Sequence, residues 1–555
     1  MRSIGPGLLW GLISLVAAGI GEAQPFVNYR GIVNAASFAP QGLPNGAIAR
    51  GSIFSIFGRE LGPSPGRSAP AIPLTAALGG VSIEVCQGAV CRAALPLFVS
   101  PGQINAVMPS NTPLGKVNIR VTVDGVAGNS SPAQVSATGF GIFSINSGGF
   151  GPGIVTNFVS QTSQPVNSAQ TVARPGQVVT VWGTGLGAAL NADNVAPQAG
   201  DLPVEVEIWV GGAKVTNKLY SGRSPEFPGL DQVVFEIPAS APAGCYVPVV
   251  LRTGRQVVSN STTIAVGSSA TACTDPANPL NSARPGGRTG IAMLYRLAYS
   301  SVVPFVGTAD FTGDLSTAIF QNEPAGPWHF NRLYSLPPPG TCTTYTAHTA
   351  GLTTDLMLSL MSNGPDLGAG DKITTIGPLR SGSADVLPGS KGAYGGPMGT
   401  DYGIPAISSL FFGNGANRVS GPGGSDVGPF QVSLTAPPAL TWLERSTQSS
   451  LTRGAPLQIN WAGGDPQGLV LVVGFARAPK LQSTGIFACV ERTSQARLTV
   501  PDWATAHLPD DPSEPADGVL AVVALSPTAT QFNATGLDFG LGVFITGSVR
   551  ANDFR

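Results

Sequence analysis

The chain repeats itself. Arg50-Gly-Ser-Ile-Phe-Ser-Ile-Phe-Gly-Arg-Glu-Leu-Gly62 returns as Arg174-Pro-Gly-Gln-Val-Val-Thr-Val-Trp-Gly-Thr-Gly-Leu-Gly187, aligning Gly51, Gly58, Leu61 and Gly62 with Gly176, Gly183, Leu186 and Gly187. Further on, Gln103, Pro109, Gly115, Gly125 and Ser130 find counterparts in Gln232, Pro238, Gly244, Gly254 and Ser259, and the second copy carries four extra residues in its middle. A repeat copies a folding unit, so whatever the first copy folds into, the second folds into as well.

Each copy carries the pattern of strands. Ile53, Ile56 and Phe57, and in the second copy Val179, Val181 and Trp182, form short β-branched and aromatic runs bounded by Gly and Pro. Val117, Ile119, Val121 and Val123 then alternate with polar residues up to an Asp-Gly turn, which predicts a hairpin with one face buried. Copies of about 110–125 residues built this way predict β-sandwiches of the immunoglobulin type. The expected fold class is therefore all-β, with tandem immunoglobulin-like sandwiches. Four segments carry a resemblance: Gly31-Ile-Val-Asn-Ala-Ala-Ser-Phe-Ala-Pro40, Gly51-Ser-Ile-Phe-Ser-Ile-Phe-Gly58, Leu97-Phe-Val-Ser-Pro-Gly-Gln-Ile-Asn-Ala-Val-Met-Pro109 and Val258-Ser-Asn-Ser-Thr-Thr-Ile-Ala-Val266. With them the chain, over about residues 28–267, resembles a family of uncharacterised secreted bacterial proteins with paired IPT/TIG-like, immunoglobulin-fold repeats. It departs from that pattern at Cys86 and Cys91. The resemblance implies a fold and an exported location, and no catalytic residues. Val419-Ser-Gly-Pro-Gly-Gly-Ser-Asp-Val-Gly428 is similar to C-terminal regions of the same proteins.

Composition narrows the classes. In 555 residues Gly 73 and Pro 49 run well above ordinary usage, charged residues are only 11%, and the net charge is -1. Such a chain is no coiled coil, helical bundle or charged disordered segment, and it has no basic field for nucleic acid. At the N-terminus, Arg2, the apolar run from Leu8 to Ile20 and the small residues Gly21 and Ala23 predict a cleaved secretory signal over 1–23, with the mature chain starting at Gln24. No later stretch reaches 18 uninterrupted apolar residues, so no membrane span is expected.

Six cysteines in an exported chain point to disulfides. Six allow 15 pairings, and spacing narrows them. Cys86 and Cys91 flank a hairpin tip, with Gly88 in the turn. Cys245 opens one strand-like run and Cys273 follows Thr263-Ile-Ala-Val266, so Cys245–Cys273 would tie the end of the second repeat. Cys342–Cys489 follows by elimination. Zinc is the rival reading, but no CxxC is present and none of the three His lies beside a Cys.

After the repeats, taken as 28–143 and 144–267, the stretch 268–283 reads as a linker. A break at Ala436-Pro-Pro438 divides the rest into a β-rich segment 284–437, on which no topology is read, and a further sandwich, 438–555. The latter holds Leu457–Trp461, Leu469–Val473, Ala496–Val500 and Val519–Ala524 as strands. On this division the Cys342–Cys489 bond would fix two sandwiches against each other.

Chemistry leaves few marks. There is no G-x-S-x-G elbow, H-E-x-x-H, P-loop or dinucleotide fingerprint, and no cofactor is expected. His329, His348 and His507 are single rings, each read as a surface or packed residue before a general base. Among acid groups, Asp310 and Asp314 in Ala-Asp-Phe-Thr-Gly-Asp carry the alternate oxygens of a short calcium loop without its closing Glu, and with Asp510, Asp511 and Glu514 they are also the candidates for a glycosidase pair. A solvated turn is the plainer reading of both. Trp328 and Trp503, in Pro- or Asp-containing loops, are candidate platforms for a sugar ring, with packing as the plainer reading. Together these features predict an exported, non-catalytic binding, adhesive or structural protein meeting an extracellular protein or glycan surface. The alternative is a secreted, glycan-directed hydrolase with its acids in 284–437 and the repeats as spacers.

Overall fold

The computed structural model describes residues 24–268, 272–280, 286–303, 307–323, 325–348, 366–403, 408–448, 450–478, 480, 482–509 and 516–554. The signal 1–23 and the acids Asp510, Asp511 and Glu514 lie outside them. The fold is all-β, 52% strand and 2% helix.

The first repeat is a sandwich whose two layers share one strand. Val90–Val99 pairs through its first half with Val81–Gln87 and through its second with Gln103–Val107, bending between layers at a bulge beside Pro96, a residue with no amide to give a ladder. Phe26–Asn34 and Ile53–Arg59 complete one layer, Gly115–Val123 and Val126–Ser136 the other. The alternation expected in Gly115–Val123 holds: Val117, Ile119 and Val121 are buried, and Asp124 and Gly125, both at positive φ, make the turn. The second repeat also forms two layers, one around Val178–Thr184 and Asp231–Glu236, the other around Val206–Val210 and Gly244–Thr253, closed over Val181, Phe235, Val249 and Leu251.

The two repeats meet through the motif they share. Gly51 of the first copy stands against Gly187 and Arg223 of the second, at φ 66, where any Cβ would overlap the guanidinium. Arg223 is paired with Asp231 and also donates to the Gly187 carbonyl, while Asp231 accepts the amides of Gly185 at 2.7 Å and Leu186 at 2.8 Å. The Ile53 amide donates to Thr184 Oγ1 at 2.8 Å, so a strand of each sandwich is bonded across the junction.

Beyond residue 286 the chain departs from the expected division at 437/438. One eleven-stranded sheet spans both parts, with Arg288–Val303 lying parallel to Phe539–Phe554 over twelve paired residues. Pro437 and Pro438 sit in a loop between sheets, where their missing amides cost nothing. A four-stranded sheet (Ile373–Ile376, Ala384–Val386, Ala416–Gly421, Phe430–Thr435) and a three-stranded one (Leu440–Trp442, Leu457–Gly463, Arg497–Val500) cover the same face of the large sheet. The first packs on Leu294, Phe320 and Phe544, the second on Val470, Val472, Phe487 and Val522.

All three expected disulfides form: Cys86–Cys91, Cys245–Cys273 and Cys342–Cys489. The last does not fix two sandwiches together. Cys342 and Cys489 are direct cross-strand partners on Thr341–His348 and Ser483–Arg492, within the large sheet. The stretch read as a linker is tied down over its described part, since Asp275, Asn278 and Leu280 are buried and Asn278 Nδ2 donates to the Tyr334 carbonyl at 2.7 Å.

The second sandwich also joins the C-terminal unit. Trp209, Val250 and Val258 share a core cluster with Trp442, Trp461 and Trp503, and Arg252 meets Asp502 at 2.8 Å. Under that cluster lies His507, whose ring nitrogens have no hydrogen-bond partner among the described residues. Burial pushes its pKa down to about 4.

Two predictions follow from this packing. Cys342–Cys489 closes 147 residues of sequence separation, so the double substitution Cys342→Ala, Cys489→Ala should cost the C-terminal unit about 2–5 kcal/mol in denaturant unfolding while leaving the strand content unchanged by circular dichroism. His507 has a folded pKa below its unfolded value. Its contribution is thus complete above about pH 6.5 and is lost as the pH falls through about 4, a swing of about 3 kcal/mol. His507→Leu should flatten the stability-versus-pH curve between those limits; an unchanged acid limb would show that the ring is not buried neutral.

Candidate functional site

The residues singled out in the sequence do not converge. Asp310 and Asp314 lie four apart on Gly307–Asn322, a strand and not a loop, so their alternation is that of one sheet face. Asp314 is 0% exposed, is gripped by Arg296 Nε at 2.8 Å and Nη2 at 2.7 Å, and accepts the amides of Phe411 at 2.7 Å and Phe412 at 2.9 Å. Its acceptor sites are filled by the protein, leaving it neither a calcium ligand nor a free acid; it anchors a loop onto the sheet. Asp310 pairs with Ser300 and faces Arg445 at 3.7 Å. No cluster of three metal-ligating side chains occurs among the described residues.

The two tryptophans part company. Trp503 is not a loop platform: it sits on a one-turn helix, Asp502–Ala506, 1% exposed in the core with Trp461. Trp328 is 38% exposed, and its indole N–H donates to the Asn167 carbonyl at 2.8 Å, so the ring is fixed at the boundary between the second sandwich and the C-terminal unit. His348 ends the strand Thr341–His348 and its side chain lies outside the described residues.

That boundary is where polar groups gather. His329 is buried beside Trp328, with Tyr334 Oη at 2.9 Å from Nε2 and Glu323 at 4.0 Å from Nδ1. Asn331 Nδ2 donates to Glu323 at 2.9 Å. Burial, then the charge of Glu323, pushes the Tyr334 hydroxyl far up, so it stays protonated as a donor. Glu323 is closed in by these neighbours, a packed polar knot and not an open acid–base pair.

Beside the knot opens a cleft of about 120 Å³, lined by Ala243, Asp275, Pro276, Asn278, Pro338 and Arg492. Asp275 is positioned from both sides. The Cys245 amide donates to its Oδ1 at 2.8 Å, and Cys245 is bonded to Cys273, two residues before it. Gly244 makes the close approach possible, since a Cβ there would stand 2.7 Å from the Pro338 ring and 2.8 Å from Asp275 Oδ1. Oδ2 has no partner among the described residues. Burial raises this carboxyl to about 6, the Cys245 amide opposing it. Sequence reasoning placed Asp275 in a linker and passed over it; the nearby Cys273 was the signal that the segment is fixed.

No helix among the described residues is long and apolar enough to cross a membrane. No protein-family model matches this chain, and no curated protein matches it. Among solved structures it is similar to the Bacteroides ovatus mixed-linkage glucan utilization locus protein SGBP-B, solved with a mixed-linkage heptasaccharide, at 11% identity over 80% of this chain and 79% of that one, TM-score 0.13. The S-layer protein SbsC, domains 5-6, matches at 12% over 44% of this chain and 98% of that one, TM-score 0.16. The fibronectin(III)-like modules of Clostridium thermocellum CbhA match at 11% over 40% and 93%, TM-score 0.11. At these scores none superimposes on the chain as a whole, and none bears on what it does.

Proposed function

We propose that this is an exported, non-catalytic binding or adhesive protein, with paired repeats of the IPT/TIG-like immunoglobulin type, that meets an extracellular protein or glycan surface. The observation that carries the reading is the fate of the carboxylates. Glycoside hydrolysis needs two acids converging across an open cleft. Asp314, the better placed of the candidates in 284–437, is wholly enclosed by Arg296 and two amides, and Asp310 faces Ser300 and Arg445. Three disulfides support an oxidising, extracytoplasmic location. The surface is poor in charge and carries exposed aromatic side chains, including Tyr29, Phe227, Trp328 and Tyr402, which suit contact and stacking better than chemistry.

The test is retention with turnover read in the same tube. The disulfide-intact chain is incubated with cellulose, chitin, xylan and collagen-coated beads while released reducing ends and peptides are followed. Retention on at least one surface without release is expected, reduced by Trp328→Ala and unchanged by Asp310→Ala. Release of sugar or peptide that Asp310→Ala abolishes would replace this reading with the hydrolase.

A further inference from the structure

The segment that joins the second sandwich to the C-terminal unit contains the peptide bond Asp275–Pro276, and the structure has arranged both sides of it. The Asp275 side chain is held by one oxygen only, Oδ1 on the Cys245 amide, and the other is unpartnered. Its main-chain carbonyl accepts the Asn278 amide at 3.0 Å, a donor placed where negative charge would develop on attack at that carbon. The bond's other side is a proline nitrogen, a tertiary amide that carries no N–H. Asp275 and Pro276 both line the cleft of about 120 Å³, room for several waters.

We propose that Asp275–Pro276 is a self-cleavage site, at which the Asp275 side chain attacks its own main-chain carbonyl and severs the chain between the second sandwich and the C-terminal unit. The free carboxyl oxygen bonds to the carbonyl carbon to close a five-membered anhydride. The C–N bond to Pro276 breaks, and the proton of the Asp275 carboxylic acid passes to the proline nitrogen, which leaves as a secondary amine. A water from the cleft then opens the anhydride, giving Asp275 a new terminal carboxyl group. The net change is hydrolysis of one peptide bond, with no oxidant, metal or cofactor.

The acid form is the reactive one because it brings its own proton to the leaving nitrogen. Burial favours that form up to about pH 6, whereas the same carboxyl in an unfolded chain holds its proton only to about pH 3.9. The other titratable groups near it are Tyr246, on the strand Gly244–Thr253, Glu323 behind Tyr246, and Arg492 across the cleft; none is hydrogen-bonded to Asp275 among the described residues. After scission Cys273 is still bonded to Cys245, so the fragment ending at Asp275 keeps its disulfide, and contacts such as Arg252–Asp502 hold the two pieces together until the junction opens.

The full chain, kept at pH 8, is moved to pH 5, and new N-termini are counted by mass spectrometry under denaturing, reducing conditions. A fragment beginning at Pro276 is expected. At pH 5 it should form about tenfold faster from the folded chain than from the chain unfolded in urea, the ratio of protonated Asp275 in the two states. It should also outpace cleavage at Asp465–Pro466 and Asp511–Pro512, the same dipeptide elsewhere in the same chain, and vanish in Asp275→Ala. No fragment beginning at Pro276, equal rates in folded and unfolded chain, or equal rates at the three Asp–Pro bonds would overturn the proposal, whether or not the alanine variant folds.

Discussion

The N-terminal half depends on one buried ion pair. Arg223 and Asp231 are both almost fully enclosed, and removing two charges from water is costly unless each finds its full set of partners. Here they do. Burial raises the Asp231 pKa, and the opposing influences are Arg223 and the amides of Gly185 and Leu186. The pair stands at the end of the motif that the two repeats share, and Gly51 reaches it from the first sandwich. A sequence element duplicated to build two strands thus also supplies the surface where the two copies lock.

Similar pairs occur in the C-terminal unit, where Arg296 and Asp314 bind a loop to the large sheet, and at its boundary with the second sandwich, where Arg252 links Glu207 to Asp502. In a chain with only 11% charged residues, a few charges are buried inside the molecule, Arg223, Asp231, Asp314 and Arg550 among them. Scattered aromatic rings, Tyr29, Phe227 and Tyr402 among them, face outward.

Much of the fold was legible and most of the site was not. Strands such as Gly115–Val123 were readable because Val and Ile alternate with polar residues beside an Asp-Gly turn, and Cys86–Cys91 because the two flank one hairpin tip, whereas Cys342–Cys489 followed only by elimination, its two strands being part of the large sheet. The large sheet escaped because Gly307–Asn322 is built from Gly, Ala, Ser and Thr as much as from apolar residues, and because two adjacent strands of the sheet, Arg288–Val303 and Phe539–Phe554, stand at opposite ends of the unit. Asp314 read as a turn residue since its spacing from Asp310 fits a loop and a strand equally. Trp503 was placed in a loop because Pro501-Asp502 marks one, yet the same two residues open a one-turn helix that carries the ring inward, as its plainer reading of packing had it. For Asp275 the one local sign was Cys273, since the group that holds it, the Cys245 amide, and the Gly244 that lets the segment approach are both distant in sequence.

Amide hydrogen exchange on the full chain shows whether the two sandwiches are locked into one body through Arg223 and Asp231. Breaking a buried pair by removing one partner costs about 3–5 kcal/mol, so Asp231→Ala should accelerate exchange at Gly185 and Leu186 by roughly two to four orders of magnitude. In a locked pair the amide of Ile53, which crosses to Thr184, accelerates with them, along with that of Gly51, which gives its hydrogen bond to Met108. Faster exchange confined to the second sandwich, with Gly51 and Ile53 as protected as before, would mean that the repeats move independently and that the junction is only a contact.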